Sequence, residues 1–154
     1  MNSMKAYALY LLARRDYSVK ELRSKLVVWS QNHAGAQQHE ITAVLEYLQH
    51  QDLLSDRRFI DSYIRSKGDK YGPSRLLYEL SAKVDDLALV QQMVHSCCND
   101  EVETAYRIWA KRFNFTEDVK QRSRQIRFLL YRGFNNTVIR KVLSLARERS
   151  DAQN

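Results

Sequence analysis

Lys120, Arg124, Arg127 and Tyr131 recur at i, i+4, i+7 and i+11. That spacing keeps four side chains on one side of an α-helix. Arginine offers a planar fork of donors matched to phosphate or carboxylate oxygens, and a tyrosine ring can stack or hydrogen-bond. No acidic residue interrupts the stripe; Arg122 and Arg132 flank it, and Arg140 and Lys141 follow. The pattern points to binding of a phosphate backbone or an acidic protein surface. A second basic set, Arg57, Arg58, Arg65, Lys67, Lys70 and Arg75, surrounds the stretch "YGPSRLLYEL" at residues 71–80. The competing reading of both sets is a solvated face that aids solubility. The acid-free stripe favours a binding face. Arg57 and Arg58 fall in the first turn of a helix, where positive charge is mildly unfavourable. That cost hints at pairing with Asp61 or with a partner.

Residues that could do catalysis or hold a metal form no comparable pattern. The glycines stand alone at 35, 68, 72 and 133, so no phosphate-cradling loop is present. His33, His39, His50 and His95 are scattered, and His95 with Cys97 and Cys98 falls short of four ligands. Asp85-Asp86 and Asp100-Glu101 read as helix-start charges rather than acid/base pairs. We expect no metal, no cofactor and no enzyme. Tyr71 and Tyr78 are candidate anchors beside Tyr131, although Tyr71 reads better as part of the core.

The elements that must position these residues are helices. One proline and four glycines in 154 residues leave few breakers, and no strand-like alternation persists. Helices are predicted near 3–15, 18–33, 39–51, 55–68, 72–83, 85–97, 100–114, 117–132 and 135–149. Pro73 suits the first helical position, which makes Gly72 the N-cap and pairs Tyr71 with Leu76 as a hydrophobic staple. The same spacing recurs as Tyr17, Ser18, Leu22 and Leu26, with Ser18 and Glu21 as a capping box. It recurs again as Phe134, Asn135, Ile139 and Leu143. Ser55 and Asp85 are expected to cap two further helices. Val102, Ala105, Tyr106, Trp109 and Phe113 mark one helix face. Val119, Ile126, Leu129 and Leu130 are assigned to the core side of the eighth helix.

Three staples at separations of about 54 and 63 residues suit a three-helix unit repeated three times. The expected fold is all-α, with three-helix, helix-turn-helix-like repeats at 1–54, 55–98 and 99–149 and a frayed tail at 150–154. Stacked, they would form an elongated, curved molecule. Residues 118–154 carry 9 Lys and Arg against 3 Asp and Glu, whereas residues 1–60 carry 8 against 6 and residues 61–117 carry 8 against 9. The final third thus holds nearly all of the +7 excess. No apolar run is long enough to span a membrane, and "MNSMKAYALYLLARRDYS" reads as a first helix rather than a signal peptide. Two adjacent cysteines make no disulfide framework, so a cytoplasmic location is expected.

Two blocks, "SDRRFIDSYIRSKGDKYGPSRLLYEL" and "RQIRFLLYRGFNNTVIRKVL", resemble the most recognisable stretches of the RecX family, and "LLARRDYSVKELRSKL" resembles that family's first repeat. The likeness spans about residues 6 to 145, with Phe59, Gly72, Pro73, Arg75, Leu80, Arg132, Gly133 and Phe134 as the firmest matches. It departs after Lys83, where the family's usual glycine is missing and Val84 follows directly. The resemblance implies a bacterial regulator of recombination, DNA repair and the SOS response. Such a protein binds the RecA recombinase filament on single-stranded DNA and inhibits its ATPase, strand-exchange and coprotease activities. The implied partners are RecA and, weakly, single-stranded or double-stranded DNA, engaged by a monomer. The alternative is a sequence-independent nucleic-acid-binding helical module.

Overall fold

A computed structural model describes residues 3–154; Met1 and Asn2, part of the N-terminal reading above, lie outside the described residues. Among the described residues there are nine α-helices and no strand. They are α1 (Met4–Leu12), α2 (Val19–Gln31), α3 (Gln38–His50), α4 (Asp56–Lys67), α5 (Pro73–Lys83), α6 (Leu87–Cys97), α7 (Glu101–Ala110), α8 (Val119–Tyr131) and α9 (Asn136–Ala152). None is long and apolar enough to cross a membrane.

Contacts gather the described chain into two compact units. One takes the residues up to Tyr63 together with Leu80–Val90; the other takes Ile64–Glu79 together with Gln91–Asn154. In the first unit, α1, α2 and α3 pack around Ala8, Leu22, Leu26, Leu45 and Leu48, all at most 2 % exposed. In the second, α7, α8 and α9 close over Ala105, Trp109, Leu129, Ile139 and Val142. Periodic burial of this kind holds short helices that propensity alone would leave marginal in water.

The staple residues are core residues. Tyr17, Leu22, Leu26, Phe134, Ile139, Leu76 and Leu80 are all buried, and Tyr71 is half-buried. Ser18 accepts the Glu21 N–H at 3.0 Å, as a cap should. The Glu21 carboxylate turns to Arg15 at 3.1 Å and to Lys83 at 3.6 Å. Asp56 adds a second acceptor to the same helix start, taking the Val19 N–H at 2.9 Å. The missing glycine after Lys83 has a structural answer. The Ser18 hydroxyl, fully buried, donates to the Lys83 carbonyl at 2.5 Å, satisfying an end-of-helix acceptor from outside α5. No residue at this turn adopts a positive φ.

Several expectations need correction. The cap of α6 is Asp86, whose carboxylate accepts the Leu89 N–H at 3.1 Å. Asp85 instead sends its carboxylate toward Lys20 and Arg23. α7 stops at Ala110, so Phe113 leaves the helix, yet it still packs edge-on against Phe128 at 5.1 Å. α9 runs to Ala152, past its expected end near residue 149, with the Gln153 N–H reaching back to the Ser150 carbonyl.

Candidate functional site

α8 begins at a clear cap: Asp118 accepts the Gln121 N–H at 3.2 Å. Its rotation is held by Gln125, only 4 % exposed. Gln125 accepts the Trp109 ring N–H at 2.8 Å and donates to the Asn114 carbonyl at 3.1 Å. A buried amide with both ends satisfied fixes which side of the helix faces inward. Lys120, Arg122, Arg124, Arg127 and Tyr131 are left exposed, Tyr131 at 69 %. The apolar residues of α8 do not all turn inward. Leu129 is buried, but Val119 is 73 % and Leu130 44 % exposed, which corrects their assignment to the core. They lie about 100–120° from the middle of the buried side at roughly 100° per residue, and so border the basic stripe.

The second basic set divides. Arg75 is held rather than solvated. Its Nε donates to Glu79 at 2.8 Å and its Nη1 to the Tyr131 carbonyl at 3.2 Å. Its guanidinium lies 4.8 Å from the Tyr71 ring and 4.7 Å from the Tyr131 ring. Arg132 donates to the Lys70 carbonyl at 3.2 Å and stacks 5.0 Å from Phe128. Both arginines thus seat the start of α5 on the α8–α9 turn. There the Gly72 N–H donates to the Arg132 carbonyl at 2.6 Å and the Ser74 N–H to the Gly133 carbonyl at 3.2 Å. A Cβ on Gly72 would meet the Gly133 oxygen at 2.6 Å and Phe134 at 2.7 Å. The stretch "YGPSR" therefore presents its glycine to a second glycine, a fit that only bare backbone allows.

Arg75 and Tyr131 join the end of the α8 stripe to the α5 cluster. Lys70, Arg65 and Arg140 are exposed and Lys67 is half-buried. Arg57 and Arg58 are exposed at the start of α4. Arg58 reaches the Asp52 carbonyl at 2.6 Å and the Asp52 carboxylate at 3.4 Å, a partner that the sequence reading had not named. Lys111 and Arg112, at the end of α7, were passed over. They share a groove with Lys70 and Arg132, and the signal was a Lys-Arg pair directly after an apolar helix face.

Cys97 and Cys98 are thiols with their sulfurs 3.3 Å apart. Burial, then the hydrogen bond shared with Cys97, pushes the Cys98 thiol up to about 12, away from the reactive thiolate. Among the described residues, no three His, Cys, Asp or Glu side chains are placed to hold a metal ion.

Residues 99–143 match the family description "RecX, third three-helix domain". The chain is 35 % identical over 153 residues to the regulatory protein RecX of Leptothrix cholodnii, covering 99 % of this chain and 94 % of that one. It is 38 % identical over 138 residues to the regulatory protein RecX of Legionella pneumophila, covering 88 % and 89 %. The crystal structure of RecX from Lactobacillus salivarius superposes with a TM-score of 0.77 at 22 % identity, over 92 % of this chain and 95 % of that one, a likeness of fold.

Proposed function

The chain belongs to the RecX family of regulatory proteins, and from that premise we propose that it acts on the RecA recombinase filament assembled on single-stranded DNA. It inhibits the filament's ATPase, strand-exchange and coprotease activities. It does so as a monomer in the cytoplasm, by binding rather than by catalysis, without metal or cofactor. The observation that carries the reading is the outer face of α8, where Lys120, Arg124, Arg127 and Tyr131 stand exposed, with Arg122 also exposed in the first turns of the helix but off that face. No Asp or Glu occurs from Val119 to Arg147. A face of one sign fits an anionic partner and steers its approach. Arg140 extends the surface onto α9. Arg65, Lys67 and Lys70 are its second contributors, and Arg57 and Arg58 are separate partner contacts of the first unit. Arg75 and Arg132 contribute by holding Tyr131 and the α8–α9 turn in place.

The match of residues 99–143 to a third three-helix domain supports a division into three repeats at 1–54, 55–98 and 99–149. The test is direct: the purified chain is added to RecA on single-stranded DNA and ATP hydrolysis is followed. Hydrolysis should fall as the chain is titrated in. Hydrolysis that stays constant at saturating chain, with strand binding intact, would favour a plain nucleic-acid-binding helical module instead.

A further inference from the structure

Four cations line one open groove of about 550 Å³ in the second unit: Lys70 from the turn after α4, Lys111 and Arg112 from the end of α7, and Arg132 from the end of α8. Asp69, Ile108 and Phe128 complete its wall. Phe128 is gripped by two guanidinium groups, Arg112 at 5.1 Å and Arg132 at 5.0 Å from its ring centre. Stacking on the same ring brings the two arginines together although both are positive. No ion pair within the described residues neutralises any of the four cations.

Cations at helix ends have an ordinary explanation, because a C-terminus carries negative partial charge. Three helix ends at about −0.5 each, with Asp69, offset about −2.5 of the four positive charges. Roughly +1.5 then remains at one groove, a surplus that no ion pair among the described residues offsets and a bound anion would neutralise; Arg132 commits one Nη to the Lys70 carbonyl and keeps its other donors. The donors suit a particular anion. Guanidinium forks bind two phosphate oxygens at once, and ammonium groups add point charges beside them. Phe128 has both arginines on its ring and its edge contact with Phe113 at 5.1 Å, so it is occupied and offers little to a base.

We propose that the groove of Lys70, Lys111, Arg112 and Arg132 is a binding site for two or more linked phosphates, recognised through their charge and oxygens without reading a base. The ligand is either a stretch of nucleic-acid backbone or the polyphosphate of a small molecule. The site stands on the groove's own chemistry and does not depend on the regulator reading.

The experiment uses the full chain without any recombinase. Binding of a fluorescent single-stranded oligothymidylate is measured across a salt series, and thermal unfolding is followed with added tripolyphosphate or acetate. The variant Lys111→Gln/Arg112→Gln removes two groove cations. Lys5→Gln/Lys25→Gln removes the same charge from exposed positions of the first unit. Circular dichroism checks that both fold. If a strand is the ligand, the groove variant should lose about tenfold or more in affinity, and the log–log salt slope should shrink by about 0.7 per lost contact. Tripolyphosphate should displace the strand from the parent. If the ligand is a free polyphosphate, tripolyphosphate should raise the parent's melting temperature and not the groove variant's, with acetate inert, while strand binding is unchanged. Should the groove variant match the control in both the strand and the tripolyphosphate assays, the groove is no phosphate site.

Discussion

Gly133 shows what a single residue holds in place. Its φ of +97° lies where side chains with a Cβ are strained, and an added Cβ would run into the backbone of Arg75. Gly133→Ala should cost about 1–3 kcal/mol from the backbone alone, and more from displacing Arg75. Urea unfolding measures it, and an unchanged midpoint would refute the close fit of α5 on the turn. Asp56 is a second case. Burial, with Asp85 and Asp86 nearby, raises its carboxyl above the ordinary 3.8, while the Val19 N–H pulls the other way. The folded chain therefore binds that proton more tightly than the unfolded chain does. Stability contributed at this site falls as pH rises from about 3.8 through the raised value, and it stays lower above it. Asp56→Asn keeps an acceptor for Val19 and removes the charge. The variant should be more stable than the parent at neutral pH, with the advantage vanishing below 3.8. Melting curves at the two pH values decide it; an advantage that persists in acid would point to packing instead.

At the scale of the element, α8 carries opposed demands on opposite sides. Gln125 and Leu129 hold it against α7 and α9, and the outward side keeps its charge. The proposal that this outer face meets the filament is tested by Arg124→Glu/Arg127→Glu. Both residues are exposed, so helicity should match the parent. Inhibition of the recombinase ATPase should weaken by about tenfold or more, because repulsion replaces attraction. Parent-like inhibition by a folded variant would make the α8 face a solvated one. Reversing Arg75 is no substitute, since its ion pair with Glu79 and its two ring contacts hold the α5 start.

At the scale of the whole molecule, the net charge of +7 is concentrated after residue 118. Charge without an evident base-reading helix predicts binding that is indifferent to sequence and steeply salt-dependent. Two unrelated oligonucleotides titrated at two salt concentrations should give equal affinities that fall together. A strong preference for one of them would instead mean that base edges are read.

Helix number, type and approximate bounds were legible because each helix repeats its apolar residues at 3–4 positions and most start at a recognisable cap. Such signals are local and survive without knowledge of the fold. The exposed stripe of α8 was legible for the same reason, being a matter of spacing along one helix. Contacts between residues far apart in sequence were not legible. Gly72 against Gly133, Ser18 closing the end of α5 at Lys83, and Gln125 beneath Trp109 pair residues by tertiary packing alone. The exposure of Val119 and Leu130 was decided the same way, since composition says only that a side chain is apolar, and the neighbouring helices determine whether it is covered. The groove of Lys70, Lys111, Arg112 and Arg132 belongs to this second kind, because three helix ends distant in the chain had to meet before their charges could add.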